Sequence, residues 1–571
     1  MNWDKQSVIA VVLGAAVLVW WYAFGANMFK QPAPPAPAPA TVQTATVNSQ
    51  PQTAAAPAQA VKTAAAVKPM AEVVISGAEE SYTIQPLSGA VKKITFDKKI
   101  QKNAKGETLE LINENNQNNW LGSFGISSGT GALKTIKVLQ SRKLNDKEYL
   151  LSRLMQDSAG TDFIVTLTYK ALDNYRMQVD MRISNPGKKA IPVSALQISA
   201  GELVQWHRLS GDPKSNSQEL HSIEYCTVNG KTKSEDAVAD DDDWQELNGK
   251  SVRWFGVVNR FYAQLMSCSE PVKLAVDRKS LNGNKEYAVC SSAVIDNLTL
   301  APGAAKELTF NYYFGPKEPV ALRKFDSEAT KVMHLGWFPI DFLAYIMLAI
   351  MNWLYGLIGS FGWSIILLTL LIRTIFFPVT MKANASMREM SALSPKLKEI
   401  REKYKDEPMV AQAKMSELYK EHKVNPMGGC LPMLIQIPVF IALYYALGSA
   451  AELRQQSFWW IGDLAQPDTV CHIFGIAINP LIIAWTLLMV VQQKLTPTAM
   501  DPMQAKVMLF MPVVMLFILY TLPAALTLYW TVSQIFSIAQ MLYQNKVKKA
   551  EEAKRKASEE NKSDKPKIVR S

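Results

Sequence analysis

Arg373 is the side chain best able to do chemistry within the apolar part of this chain. It lies near the middle of the run Trp363 to Pro378 (WSIILLTLLIRTIFFP), and no carboxylate lies near it in the sequence. A charge at the centre of a bilayer costs about 3 kcal/mol on insertion scales, so an intramembrane arginine indicates a functional site. We expect it to face a water-filled cavity. The alternative is an arginine locked in a packed polar cluster with a purely structural role.

Other polar side chains in the apolar segments follow a pattern. Thr369 precedes Arg373 by four residues, which places both on one face of a helix. Further polar positions are Gln436, Gln492, Gln493, Ser533, Gln534, Ser537, Gln540 and Gln544. In lipid such groups must face protein or water. Hydrogen bonds between helices would explain single residues, whereas a polar stripe opposite a lone arginine favours a hydrophilic cavity.

Five apolar segments have the length to place these residues inside a membrane. We predict spans over Trp363 to Thr380, Leu431 to Leu447, His472 to Val491, Val507 to Leu522 and Leu526 to Tyr543.

The segment Trp337 to Gly359 is long enough to span as well, but it has a narrow polar face. That face consists of Asp341, Tyr345, Asn352, Gly356 and Gly359. A narrow polar face favours a helix that lies in the membrane interface over a further span.

The rest of the chain indicates a membrane protein with several domains. Apolar and polar residues alternate through the region after residue 71, which predicts an antiparallel β-sandwich. Residues 1–30 contain the first apolar segment, for which we predict an uncleaved anchor; a cleavable signal peptide is the alternative. We predict an N-terminal anchor helix (1–30), a Pro/Ala-rich linker (31–70), an all-β domain (71–330), an interfacial helix (331–360), a five-helix core (361–545) with a helical hairpin (383–423), and a basic tail (546–571).

Charge predicts the orientation. The loop from Met381 to Lys423 holds 10 Lys and Arg residues, and the tail from Lys546 holds 10 more. Positive segments stay in the cytoplasm, so the hairpin, the tail and the N-terminus are predicted to be cytoplasmic. The β domain then lies outside.

Enzyme chemistry finds little support in the sequence. There is no HExxH, GxSxG or P-loop motif, no Asp lies inside the apolar spans, and the histidines lie outside the spans or, like His472, at their edge. We therefore expect no catalytic residue, no metal and no cofactor. Two other classes stay open: a solute transporter or channel with an anion site at Arg373, and an assembly scaffold in which the exported domain binds. The sequence leaves undecided whether Cys268 and Cys290 form a disulfide.

Several motifs resemble the YidC family of membrane protein insertases. They are KVNPMGGCLPMLIQIPVF from Lys423 to Phe440, FFPVT at 376–380, DPMQ at 501–504 and LYWTVS at 528–533. The resemblance covers roughly residues 335 to 545. The exported region resembles, more weakly, the large periplasmic domain of Gram-negative members, which is a galactose-mutarotase-like β-supersandwich.

The resemblance implies a hydrophilic intramembrane groove that is open to the cytoplasm and to lipid. Arg373 matches the groove arginine, and Thr369, Gln493, Tyr529 and Trp530 match groove-lining positions. Such a protein would insert, fold and help to assemble inner-membrane proteins, alone or with the Sec translocon. The implied partners are nascent membrane proteins, SecYEG and SecDF, the ribosome and signal-recognition components at the hairpin and tail, and the lipid bilayer.

Overall fold

The computed structural model of this protein consists of a β-rich part followed by a helical part. The predicted anchor and nearly all of the predicted linker lie outside the residues that it describes. The described residues are 70–96, 110–112, 121–127, 133–157, 160–204, 221–236, 246–281, 286–422, 424, 431–495 and 502–563.

The β-rich part is built from antiparallel strands in two sheets. The strands are β1 Val73–Ser76, β2 Glu80–Gln85, β3 Ala90–Phe96, β4 Glu110–Ile112, β5 Phe124–Ser127, β6 Lys134–Lys143, β7 Glu148–Gln156, β8 Asp162–Leu172, β9 Arg176–Ser184, β10 Ile191–Val204, β11 His221–Thr227, β12 Thr232–Asp236, β13 Ser251–Asn259, β14 Tyr262–Leu281, β15 Glu286–Leu300 and β16 Ala305–Pro316. The first four form one sheet in sequence order. The other twelve form the second, along the path β12-β11-β13-β14-β16-β9-β8-β7-β6, while β15 pairs with β10 and β14, and β5 pairs with β10.

Alternation along the strands builds the core. In β8 the inward side chains Phe163, Val165 and Leu167 are buried, while the residues between them are partly exposed. The two sheets share this core, since the rings of Phe96 on β3 and Tyr262 on β14 lie 5.6 Å apart. The prediction of a β-rich domain before the helical core is confirmed. Cys268 and Cys290 are both free thiols.

The helical part contains nine α-helices among the described residues. They are α1 Pro319–Phe325, α2 Ile340–Ile358, α3 Phe361–Ala392, α4 Ser394–Lys403, α5 Pro408–Glu421, α6 Leu431–Ser449, α7 Pro480–Leu495, α8 Pro502–Ile518 and α9 Ala524–Ser563. Two of them, α2 and α3, are long and apolar enough to cross a membrane by length and composition. Gln436–Ser449 and Pro480–Leu495 are shorter apolar helices.

Two predicted spans are only partly helical in the structure: the helix within Val507 to Leu522 ends at Ile518, and the span from His472 starts with strands. The segment from His472 begins as a β-hairpin, with β17 Cys471–Ile473 paired to β18 Ile476–Ile478, and the helix starts only at Pro480. The physical reason is the turn at Phe474 and Gly475, whose φ angles of 51° and 81° reverse the chain. Proline then suits the first turn of the helix.

The two helices predicted for the loop after α3 are present as α4 and α5. Leu393, Leu397 and Val424 form a small buried cluster of their own, and Met415 and Leu418 of α5 pack against it. The structure also makes α3 longer than predicted, to Ala392. Pro395 lies in the first turn of the next helix, where its missing N–H is tolerated.

The helix α2 packs its apolar face on α3 and α6, burying Ala344, Met347 and Met351. One residue of its polar stripe, Asn352, reaches a group near the end of another helix. The Asn352 side-chain amide donates to the Glu452 carboxylate at 3.3 Å, just beyond the C-terminus of α6. The middle of α2 therefore lies at the end of α6.

Lys317, directly after β16, is a lysine in the interior of the protein. It is fully buried, and its Nζ has no hydrogen-bond partner among the described residues. The neighbouring Glu224 carboxylate accepts from Ser222, Ser234 and His334. Burial lowers the pKa of Lys317 from 10.5 to about 7, although Glu224 opposes the shift.

We predict that Lys317→Met raises the free energy of unfolding by about 2 kcal/mol at pH 6, where the buried amine is charged. Between pH 7 and 10.5 the unfolded chain binds more protons at this site than the folded chain. Wild-type stability therefore rises with pH in this window, and the advantage of the variant shrinks. Thermal unfolding of the full chain in detergent at pH 6, 8 and 9.5 measures this.

The exposed neighbour Lys324 supplies the control, because Lys324→Met removes the same charge from a solvated position. Its effect should be small at every pH. A stability gain from Lys317→Met that does not change with pH would contradict the assignment of a buried, titrating amine.

Candidate functional site

The predicted site centres on Arg373, which lies on α3 and points to α9. The Nε atom of Arg373 donates to Ser533 Oγ at 2.7 Å, and Nη2 donates to the same oxygen. The serine is almost completely buried and the arginine is partly buried. Among the described residues no carboxylate forms an ion pair with Arg373. The guanidinium is thus held by a neutral hydroxyl and keeps its charge unneutralised.

A third helix joins this centre through Tyr529 and Gln436. Tyr529 lies one turn before Ser533 on α9, so both side chains share a face of that helix. The Gln436 amide on α6 donates to the Tyr529 hydroxyl at 2.8 Å. Arg373, Ser533, Tyr529 and Gln436 therefore connect α3, α9 and α6 around one polar point, which we call the arginine cluster.

The polar stripe of α9 continues past the arginine cluster, but there it holds helices together. Gln540 donates to Thr380 Oγ1 of α3 at 2.8 Å. Gln544 accepts from Arg388 Nη2 at 2.9 Å. Both glutamines are buried. In this half of the stripe, hydrogen bonds between helices account for the polar residues.

Arg388 was not among the predicted site residues. A signal for it exists in the sequence, since Arg373, Thr380 and Arg388 are separated by seven and eight residues. Such spacing places all three on one face of a helix. That face of α3 meets the polar stripe of α9.

Gln534 and Ser537 have other partners. The Gln534 amide donates to Gln492 Oε1 on α7, next to Gln493, which is partly buried. The Ser537 hydroxyl donates to the carbonyl of Ser533 at 3.0 Å, within its own helix. Of the predicted stripe, then, only Ser533 bonds to Arg373, while Gln534 faces the C-terminal end of α7.

Thr369 and Trp530 lie in packed surroundings beside the arginine cluster. Thr369 is fully buried, and its hydroxyl donates to the carbonyl of Ile365 at 2.7 Å. The Trp530 ring stacks on Phe440, with centroids 5.2 Å apart, and lies 5.1 Å from Trp485. These contacts hold Thr369 and Trp530 in place next to the arginine cluster.

The outer faces of the same helices are apolar. Exposed positions include Leu371 and Ile375 on α3, Leu487 on α7, and Phe510 and Phe517 on α8. Large apolar side chains outside and polar side chains inside are the arrangement that lipid requires. The bundle is therefore built to expose its surface to hydrocarbon.

The arginine cluster supplies one fixed positive charge and neutral hydrogen-bonding groups. Arginine does not lose its proton in proteins, so it is suited to attract an anionic or polar segment and unsuited to act as a base. The described parts of the chain contain no cluster of three or more His, Cys, Asp or Glu that could hold a metal.

Comparisons with known proteins match both parts of the chain. A family model described as "60Kd inner membrane protein" matches residues 353–552, and one described as "YidC periplasmic domain" matches residues 73–350. A protein of Geobacter sulfurreducens named "Membrane protein insertase YidC" is 32% identical over 483 residues, covering 83% of this chain and 86% of the relative. A protein of the same name from Herminiimonas arsenicoxydans is 30% identical over 583 residues, covering 95% and 98%.

A solved structure titled "Active YidC insertase crystal structure with the first transmembrane domain resolved" is 21% identical to this chain. The match covers 83% of this chain and 92% of that one, with a TM-score of 0.34.

Proposed function

Because this chain belongs to the YidC family of membrane protein insertases, we propose that it inserts client helices into the inner membrane through a groove centred on Arg373. The observation that carries this proposal is the arginine cluster. A charged guanidinium is held by the Ser533 hydroxyl, without an acidic partner in the described residues, where three apolar helices meet. The family is one of insertases and not of enzymes.

A wet groove lowers the barrier to insertion. A client helix must carry its polar or acidic flanking residues through hydrocarbon, and a charge there is costly. Water and hydrogen-bonding groups that reach the middle of the bilayer shorten this path. Arg373 attracts an acidic outer segment transiently. The membrane potential then drives that segment outward by about 2.3 kcal/mol per charge per 100 mV, while the client helix moves into lipid.

We include in this groove all the polar and aromatic positions expected from the sequence. The arginine cluster forms its floor, and Gln493, Gln534 and Ser537 continue it toward the inner end of α7. Thr369 and Trp530 support its wall from the packed side. Gln540 and Gln544 close the contact of α3 with α9.

The orientation that we propose follows from charge and from contacts. The basic helices α4 and α5 and the basic end of α9 lie in the cytoplasm, and the β domain (71–330) lies in the periplasm. The helix α2 lies along the outer interface, which agrees with the bond from its middle residue Asn352 to Glu452 at the end of α6. The first segment (1–30) anchors the chain, with its N-terminus inside.

The positive cytoplasmic surface suits anionic partners. We propose that the hairpin of α4 and α5 and the tail after Lys546 contact ribosomal RNA and signal-recognition components, and that the chain works alone or beside the Sec translocon. Electrostatic contacts of this kind weaken with salt. Binding of ribosomes that falls steeply between low and moderate salt would support this assignment.

The function is tested by supplying the full chain to a bacterium depleted of its own insertase. We expect insertion of a short membrane protein with an acidic outer tail to be restored. The same purified chain, reconstituted alone in liposomes, should insert that client and should leave the flux of small anions unchanged. Anion flux without insertion would instead identify a transporter.

A further inference from the structure

Two tight turns at one end of the helical bundle present large aromatic side chains to the outside. In the first, Phe458 and Ile461 exchange backbone hydrogen bonds of 2.9 Å, and Trp459 and Trp460 form the tip. The second is the hairpin of β17 and β18, with Phe474 at its tip. The exposed fraction is 68% for Trp459 and 100% for Phe474. We call these two segments the aromatic turns.

Both tip residues occupy an unfavourable backbone conformation. The φ angle is 52° at Trp459 and 51° at Phe474, in the left-handed region. This region costs a residue with a Cβ atom about 1 kcal/mol or more, and turns of this type favour Gly, Asn or Asp. At Trp459 the ring stacks on Phe458, with centroids 4.9 Å apart, which compensates in part. At position 474, folding alone would select against an aromatic. Phe474 gains nothing from packing in return, because its side chain is completely exposed.

The contacts at the base of each turn fix its place in the bundle. The Asp468 carboxylate accepts from Trp460 Nε1 at 3.1 Å and from the backbone N–H of Leu481 at 2.7 Å. This ties the first turn to the N-terminus of α7. The Asn479 side-chain amide donates to the carbonyl of Tyr520 at 2.8 Å, which ties the hairpin to the segment that follows α8.

The apolar outer surface of α7 and α8 leads to the same end. Phe517 and Ile518, at the last turn of α8, are exposed, as are Ile473 and Ile476 beside the hairpin tip. The exposed tips are thus continuous with the surface that faces hydrocarbon. Exposed aromatics at the edge of such a surface are typical of the lipid–water interface.

The charge of the segment restricts its partner. From Gln455 to Asn479 there is no Lys or Arg, and the only acidic residues are Asp463 and Asp468. An anionic headgroup would find no lysine or arginine here. The chemistry suits the boundary between headgroups and acyl chains of uncharged or zwitterionic lipids.

We propose that the two aromatic turns are lipid anchors that insert Phe474, Trp459 and Trp460 into the interface of the outer leaflet. They hold the N-terminus of α7 at a fixed depth. This inference rests on the membrane placement in the proposed function, but not on insertion activity. Burial of the ring in lipid offsets the backbone strain at each tip. Without a membrane the protein has no such compensation.

The depth of the hairpin tip tests the proposal. In a chain with Cys268, Cys430 and Cys471 replaced by serine, a spin label is attached at Phe474→Cys and the protein is placed in zwitterionic lipid nanodiscs. The label should collide with oxygen several-fold more often, relative to a water-soluble nickel chelate, than a label at Val228→Cys. Val228 is the matched control, because it is an exposed apolar residue beside the tip of the β11–β12 hairpin in the β domain.

A label at 474 that meets the nickel chelate as freely as the Val228 control overturns the proposal. So does a label that is shielded only after a client protein is added, which would identify a protein occupant. Neither result depends on whether the chain inserts clients, so failure here is separable from failure of the proposed function. Addition of an impermeant thiol reagent to one side of sealed vesicles tests the orientation separately.

A second variant removes the aromatic ring while keeping a turn sequence that should fold. Phe474→Asn places Asn-Gly in the turn, the sequence that this turn favours, so the hairpin should form at least as well. With the spin label on Cys471 as the only accessible cysteine, this variant should raise collisions with the nickel chelate several-fold. Unchanged shielding of Cys471 would overturn the anchoring role of Phe474.

Discussion

Arg373→Glu is expected to reduce insertion of a short membrane protein with an acidic outer tail by about tenfold or more. The substitution replaces attraction by repulsion, and two charges 4 Å apart interact by about 4 kcal/mol at the effective dielectric of a protein surface. It also leaves a carboxylate next to the buried Ser533 hydroxyl. The measurement is protease protection of the client tail in cells depleted of their own insertase.

Arg373→Lys and Arg373→Ala are the matched controls for this result. Lysine keeps the charge but lacks the planar fork that holds Ser533 through both Nε and Nη2, so we expect partial insertion. Alanine should lie between lysine and glutamate. Each variant must be present in the membrane at the wild-type amount. Insertion by Arg373→Glu at the wild-type level would exclude a role for the positive charge of Arg373 in insertion.

Ser533→Leu is expected to have the second largest effect, through the support of Arg373. The serine is buried and accepts two of the arginine's hydrogen bonds, so leucine both removes the acceptor and occupies its space. Loss of the acceptor for a buried charged donor destabilises by about 1–3 kcal/mol. We expect lower thermal stability in detergent and a several-fold loss of insertion.

Ser537→Leu provides the matched control, one turn later on α9. Its hydroxyl bonds to the backbone of its own helix, at Ser533, so the same substitution should change thermal stability little. The comparison is made on stability, because Ser537 also lies in the proposed groove. Ser533→Thr, which retains a hydroxyl, should restore most of the activity. Equal losses of thermal stability from Ser533→Leu and Ser537→Leu would show that Ser533 has no special role in holding Arg373.

The sequence was informative wherever a pattern repeats. Alternation at 163–169 and 177–183 predicted paired antiparallel strands, and these are β8 and β9. The spacing of Arg373 and of Ser533 within two apolar segments predicted that polar groups would face each other. Composition could also separate the β-rich part from the helical part, because an apolar surface in contact with lipid differs in hydropathy from a domain in water.

The sequence was less informative where the outcome depends on a turn. The apolar residues from His472 onward suit a helix and a short strand equally well by composition. The hairpin exists because Phe474 adopts a positive φ, which phenylalanine seldom does. No residue pattern predicts that conformation.

Tertiary contacts decided the roles of the stripe residues. Ser533, Gln534, Gln540 and Gln544 lie on one helix, but their partners belong to different neighbours. The rotation of α9 relative to α3 and α7 determines which of them meets the arginine. Helical spacing fixes the face of one helix and leaves the identity of its neighbour open.

The central claim is that the charge of Arg373 acts on acidic residues of the client as they pass. The most direct measurement combines wild type and Arg373→Ala with clients that carry none, one or two acidic residues in the outer tail. We predict that the fraction of client inserted by the wild-type protein changes with the number of acidic residues in the client's tail. In Arg373→Ala the inserted fraction should no longer change with that number. The same dependence in both proteins would contradict the claim.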